Sequence, residues 1–485
     1  MRKLIKIAAT FVILFSGVSA WGQEINQKFG KVSEFELNMK TCEIDTSADA
    51  VVLFDKGYTY FNYDEMTKDF KLNFERNLRI KILKKSGIEN ATFKIALYKD
   101  GTNKENLQNI KGVTYNMENG KIAKLKLEKK DIYTEEESEK IENVNFSFPG
   151  VAEGSVIELT YVIQSDFYYN FQNWQIQKKI PVVYSEYYTV IPEYFKYQLH
   201  VTGYENVKID KVVDQKPEDF TIGDKSPNHP GSTRGHFSYN IHSLSESVKW
   251  TATKIPAFKT EAYMTSERNF MTEIVYELES IQFPNQLIHF YTDSWKKIDE
   301  RLLESEHFGK QLNPTNKVKD LTNEAIGDAQ TPEDKMNRIY NYLTQNYIWT
   351  KIRTKYVDEN LSKVIKEKKG NSADINILLL SMLRAAGIKV VPVVLSTREN
   401  GYLNTAYPTI ANFDYVVVQA NINGKSILLD ATEKYLPAGY LPFHCLNGKG
   451  RIVDAANGSE IEIVPAGDRN MSEFQTLTIQ PNGDI

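Results

Sequence analysis

The chain has 485 residues, 59 Lys plus Arg against 63 Asp plus Glu, a net charge of −4 and two cysteines. This charge balance argues against nucleic acid as a partner, and two cysteines exclude a disulfide scaffold, leaving at most one bridge, between Cys42 and Cys445. The length exceeds what one hydrophobic core supports, so two or three domains are expected.

Arg2, Lys3 and Lys6 precede the apolar run Ile7 to Val18, and Ser19, Ala20 and Gly22 follow. Residues 1–22 therefore read as a secretory signal, which predicts a periplasmic or secreted protein. The uncharged stretch from Ile7 to Ala20 covers 14 residues, short of the ~20 a spanning helix needs. No transmembrane anchor is expected after its removal, and no cysteine marks the cleavage site for a lipid. Cleavage removes three positive charges and no acid, making the chain still more acidic.

After a short helix predicted over Val32–Met39, period-two alternation and turn signals run to Pro284. Strands are expected at Asp69–Lys85, Ala91–Tyr98, Val113–Leu127 around Asn119-Gly120, Ser155–Ile163, Trp174–Val182, Tyr197–Thr202 and Met271–Leu278. This pattern predicts an all-β sandwich over 23–284. Near residue 285 the period changes, and helices are predicted at Ser294–Leu303, Thr315–Ile326 and Thr331–Tyr347. The last opens on a capping Thr331 with Pro332 in the first turn.

Ile375, Leu378, Leu379, Met382 and Leu383 fall at helical spacing, with Gly387 placed for a left-handed cap. A Val-rich strand follows over Ile388–Leu395, where Pro392 suggests an edge position or an irregularity. Phe413–Gln419 and Ser426–Asp430 flank Asn423-Gly424 and predict a β-hairpin. The second domain is set at 285–466. Beyond it, residues 467–485 hold a connector, a strand from Glu473 to Ile479 and a turn with no second strand, the start of a truncated C-terminal β segment.

The helix beginning near 372 is the chemical focus. Gly370-Asn371-Ser372-Ala373-Asp374 places a small polar residue where a helix dipole and unpaired amides would lower a thiol pKa. A serine hydroxyl gains too little there and needs an adjacent base. The order helix, strand, loop, hairpin resembles the transglutaminase-like superfamily over roughly Thr331 to Asp454. The resemblance rests on Gly370, Asp374, the run Leu383-Arg384-Ala385-Ala386-Gly387-Ile388 and the segment Leu428-Leu429-Asp430-Ala431-Thr432. It implies a papain-like α+β core in which Ser372 stands at the nucleophile position, Tyr415 at the histidine and Asp430 at the aspartate. Two further stretches, Asn145–Val151 leading to Gly154–Glu158 and Ile255–Phe258 leading to Glu261–Met264, are similar to an uncharacterised all-β domain. That domain often precedes such cores in secreted bacterial proteins, which points to a Gram-negative envelope.

Free tyrosine has a pKa of about 10 and is a poor base near neutrality. No catalytic residue is therefore expected: Ser372 reads as the helix N-cap, Tyr415 as an inward strand aromatic and Asp430 as a strand-end acceptor. The leading expectation is a non-catalytic domain serving binding or assembly with a protein or glycan in the envelope. The alternatives are a Ser372-dependent amidase, peptidase or acyl transferase with a base from elsewhere, and a glycan-binding surface module.

No cofactor and no metal are expected. His229, His236 and His242 match no zinc spacing, and no P-loop, dinucleotide fingerprint, CxxC pair or G-x-S-x-G elbow is present. His444 and Cys445, read as extended, would point to opposite faces, as a satisfied histidine and a buried cysteine. Aromatic clusters at 167–171, 184–188 and 194–197 are expected to pack in the core rather than bind sugars.

Overall fold

A computed structural model describes residues 25–467 except 65, 66, 68, 139, 213–217, 224–237, 263, 285, 292, 293 and 404–409. The segment expected to be a signal, 1–22, His229, His236, the side chain of His242 and the expected strand Glu473–Ile479 lie outside the described residues.

In the N-terminal half, an eight-stranded sheet runs in the order Lys208–Val212, Ser245–Ile255, Val182–Pro192, Ala50–Asp64, Asp69–Ile82, Val156–Ser165, Asn106–Glu118 and Lys121–Lys126. All neighbours are antiparallel except Ala50–Asp64 and Val182–Pro192, which run parallel. One face of this sheet shares a core with two four-stranded sheets, one built around Phe195–Val201 and Glu273–Ile281, the other around Thr92–Asp100 and Ile141–Ser147. That is a sandwich, with alternating apolar residues such as Leu72, Phe74, Leu159 and Tyr161 turned inward. Gly57 is required here, because a Cβ would come within 2.5 Å of the Trp174 ring that lies over it.

Part of the opposite face, at Val113, Tyr115 and Val156, is covered by residues 29–37. Helix α1 (Glu34–Asn38), capped by Ser33, brings Glu36 onto the buried Arg79, which also pairs with Glu158. Lys81 donates to the carbonyls of Leu37 and Gly154, both at 2.6 Å.

The strand expectations differ in two respects. Within the expected Trp174–Val182, only Trp174–Gln175 and Val182 pair, the latter as the first residue of Val182–Pro192, while 176–181 lies outside the ladders and Lys178 there reaches Asp55 at 3.0 Å. The strands Ala50–Asp64, Ile132–Ser138, Ile141–Ser147, Val182–Pro192, Lys208–Val212 and Ser245–Ile255 were not among those predicted from the sequence.

Helices α2 (Trp295–Glu304), α3 (Asn316–Ile326), α4 (Pro332–Asn346), α5 (Leu361–Glu367) and α6 (Ser372–Ala385) belong to the C-terminal half. α6 is buried on all sides from Ser372 to Leu383, so it is the core element around which the others pack. It contacts an antiparallel five-stranded sheet ordered Lys425–Leu429, Tyr415–Ile422, Lys389–Leu395, Gly448–Ile452, Ser459–Ile463. Asn423 and Gly424 both have positive φ, as the two-residue hairpin requires. Lys389–Leu395 is central and not an edge. Pro392 is tolerated because pairing with Gly448–Ile452 covers only Val393–Leu395. A buried Arg451–Asp299 pair at 2.7 Å ties the sheet to α2.

Candidate functional site

The N-terminus of α6 is built as a capping box. Asn371 Oδ1 accepts from the Asp374 amide and Asp374 Oδ2 accepts from the Asn371 amide, both at 2.8 Å. Asn371, not Ser372, is therefore the N-cap: the acid that closes the box stands three residues after Asn371. Gly370 makes room for this turn, since a Cβ there would lie 2.4 Å from Asp374 Cβ. Burial raises the Asp374 pKa above the usual carboxylate value.

One position inside the helix, Ser372 meets the loop that follows Ile348–Trp349. Its Oγ accepts from the Thr354 amide at 2.9 Å and donates to the Thr354 carbonyl at 2.7 Å, while its own amide donates to Ile352 O at 3.1 Å. The residue is fully buried. Among the described residues, no histidine or lysine hydrogen-bonds to this hydroxyl. Lys355, next along the loop, is buried and held down at about 8 by desolvation, and it donates to Phe413 O at 2.7 Å. A cavity of about 300 Å³ nearby is lined by Gly370, Asn371 and Asp374, not by Ser372.

Tyr415 and Asp430 are brought together on the hairpin. Asp430 Oδ1 accepts from the Thr432 amide at 2.8 Å and from Thr432 Oγ1 at 2.6 Å, and the Tyr415 hydroxyl lies 3.1 Å from the same Oγ1. Asn376 of α6 locks this corner, donating to Val416 O and accepting from the Ala431 amide. Burial pushes Tyr415 well above its ordinary value and raises Asp430 as well. Tyr415 is an inward strand aromatic and Asp430 follows the strand's last residue.

Two residues that sequence reasoning set aside stand beside this pair. His444 and Cys445 lie in a 3-10 turn over Phe443–Cys445, not in an extended segment, so their side chains are not turned to opposite faces. Pro442, just before the turn, was the available signal. Cys445 is buried as expected, its Sγ 3.7 Å from Asp430 Oδ2. His444 is not satisfied: its Nε2 is buried and has no hydrogen-bond partner among the described residues. The imidazole stacks on Trp349 at 5.5 Å and meets Tyr415 edge-on at 5.1 Å. Burial, Arg353 and Lys351 hold it down at about 4, so at neutral pH it is uncharged. Burial and Asp430 push the Cys445 thiol up. Cys42 and Cys445 are both free thiols.

Of the aromatic clusters, Phe167, Phe171, Tyr187 and Tyr194 are in the core. The outer face of the large sheet instead carries Tyr58 stacked on Tyr60 at 4.6 Å and on Tyr188 at 5.4 Å.

Comparison with known proteins places two profiles on the chain. Residues 319–423 match the transglutaminase-like superfamily, and residues 68–222 match DUF3857, a domain of unknown function. A crystal structure of a "putative protease" from Parabacteroides distasonis ATCC 8503 is 18% identical, covers 86% of this chain and 72% of its own, and has a TM-score of 0.54, a likeness of fold. A "putative cysteine protease" from Cytophaga hutchinsonii is 14% identical over 63% of this chain and 91% of its own, with a TM-score of 0.22. No curated protein matches.

Proposed function

The chain carries a transglutaminase-like domain behind a strand-rich DUF3857 domain, and from that premise we propose that the transglutaminase-like domain is non-catalytic and serves binding or assembly in the cell envelope. The proposal includes export through a signal at 1–22 and domain limits of 23–284 and 285–466. The observation that carries it is the state of Ser372, whose hydroxyl is fully buried and doubly bonded to the Thr354 backbone. A hydroxyl nucleophile needs a base within reach to take its proton. Tyr415, at the position the family gives to histidine, is a buried phenol beside Thr432 and holds its proton more tightly than a free one.

The test compares wild type, Ser372→Ala, and Ser372→Cys combined with Tyr415→His, for amide turnover and thiol reactivity. The expected result is no turnover in wild type and reactivity in the double variant alone. Wild-type turnover lost in Ser372→Ala establishes the alternative, a serine-dependent amidase, peptidase or acyl transferase.

A second reading, glycan binding, is favoured by a cavity of about 490 Å³ on the outer sheet face, lined by Tyr58, Tyr188, Glu75 and Glu186 among others. Stacked phenols beside carboxylates suit sugar rings. A glycan array with the full chain, repeated with Tyr58→Ala, tests it; no binding removes it.

A further inference from the structure

The pairing of His444 with Cys445 beside Asp430 has no part in the reading of Ser372. We propose that Asp430, His444 and Cys445 form a binding site for one late transition-metal dication, zinc by the chemistry of its donors, with a fourth coordination position left for water or a ligand.

The donor set is the first argument. An imidazole nitrogen, a thiolate sulfur and a carboxylate oxygen are the ligands zinc takes, and three protein ligands with an open fourth position is a recurring zinc arrangement. Here one atom from each of the three residues lies within 4.8 Å of the others. Around a tetrahedral ion with bonds of about 2.0–2.3 Å, donors stand about 3.5 Å apart. Cys445 Sγ and Asp430 Oδ2 are already at 3.7 Å. Seating an ion thus asks for a contraction of at most about 1.3 Å, centred on His444, which sits in a three-residue turn beside the exposed Phe443.

The second argument is that the atoms are oriented and available. Thr432 holds Asp430 Oδ1 through its amide and its hydroxyl, which fixes the carboxylate and turns Oδ2 toward the thiol. Such an outer contact is what orients a ligating carboxylate. His444 Nε2 is a buried nitrogen with no hydrogen-bond partner among the described residues. Left so, it forfeits a hydrogen bond at a cost buried polar atoms rarely bear. Asp430 is fully buried and has no ion-pair partner among the described residues.

Charge is the third argument. A thiolate and a carboxylate bring two negative charges to a buried place, and a dication neutralises them. Lys351 and Arg353, the cations on the His444 side, are themselves paired with Glu433 and Glu399, so their opposition to a metal is reduced.

Cobalt(II) reports the site without reference to turnover. The reduced full chain, stripped with a chelator, is titrated with cobalt and then with zinc. The expected result is one equivalent bound, with thiolate-to-cobalt charge-transfer absorption and the strong visible bands of a tetrahedral ion, all lost on adding zinc. Cys445→Ser should abolish the charge-transfer band, and His444→Ala should weaken cobalt binding at least tenfold. Cys42→Ser should bind as wild type does. If Cys445→Ser does not fold, His444→Gln, at the half-buried position, carries the same comparison. No charge-transfer band in wild type, a band that survives in Cys445→Ser, or wild-type affinity in the His444 variants overturns the proposal. Because the readout is absorption, its failure leaves the reading of Ser372 standing.

Discussion

Replacing Ser372 by alanine separates a structural hydroxyl from a working one. The side chain is fully buried and makes two hydrogen bonds, both to the backbone of Thr354. Alanine leaves the Thr354 amide facing apolar surroundings without an acceptor, and an unsatisfied buried donor costs about 1–3 kcal/mol. The void left by one oxygen adds less than about 1 kcal/mol. The expected loss is therefore about 2 kcal/mol, borne by the C-terminal unit that α6 organises. For a unit of this size that corresponds to a fall of about 4–8 °C in its transition temperature. Differential scanning calorimetry on the full chain reads it, because the transition of the strand-rich N-terminal half should stay in place. A C-terminal transition displaced by less than about 1 °C would refute the reasoning, since the hydroxyl would then not be holding the 350–358 loop onto the helix.

Three more outcomes follow from groups elsewhere in the fold. Arg79→Met leaves Glu36 and Glu158 buried without their cation and should cost about 3–5 kcal/mol in the N-terminal unfolding transition in urea; a change under about 1 kcal/mol contradicts it. Gly370→Ala drives a Cβ onto Asp374 and should open the capping box at a cost of about 1–2 kcal/mol, read by thermal melting, with an unchanged melting temperature as the contrary result. Burial holds Lys355 at about 8 against an ordinary 10.5, so between those values the unfolded chain binds a proton that the folded chain has released. Stability should rise with pH across that window, by about 3 kcal/mol in full, and the rise should be missing in Lys355→Met; parallel curves for the two proteins would dismiss it.

Much of the fold was legible because its signals are local. Asn119-Gly120 and Asn423-Gly424 carry the two positive φ values their hairpins need, and Thr331-Pro332 caps α4 where the sequence places it. The strand Ala50–Asp64 was missed although it pairs along its length with the next strand, Asp69–Ile82, because the connection Glu65-Met66-Thr67-Lys68 carries no Gly, Pro or Asn-Gly turn signal. Trp174–Val182 reads as one extended run, but its pairing stops at Gln175 and resumes at Val182 in a different sheet, with the Lys178–Asp55 pair in between. At the site, Ser372, Tyr415 and Asp430 were singled out through the resemblance to the transglutaminase-like superfamily and not from local signals. The capping role passed to Asn371 because Asp374, at the third helical position, closes a box that serine one residue later cannot. His444 was misjudged for a different reason: alternation holds only in extended chain, and Pro442 begins a tight turn instead.

On the proposed reading of Ser372 and Tyr415 as the nucleophile and histidine positions, neither Ser372→Cys nor Tyr415→His alone should generate a reactive site. With tyrosine at 415, the aspartate orients no imidazole from the hairpin; it holds Thr432, which in turn meets the phenol. Ser372→Cys by itself puts a thiol under the Thr354 loop with no base in contact, where burial favours the protonated form. Tyr415→His by itself sets an imidazole beside a buried carboxylate with nothing to activate, and it removes the phenol from Thr432. Only together do a thiol and an imidazole oriented by Asp430 become available. Measured as the rate of alkylation at position 372, the double variant should exceed Ser372→Cys alone by tenfold or more. Equal rates would mean that position 415 does not communicate with 372, and that the loop over Ser372 alone determines what the site can do.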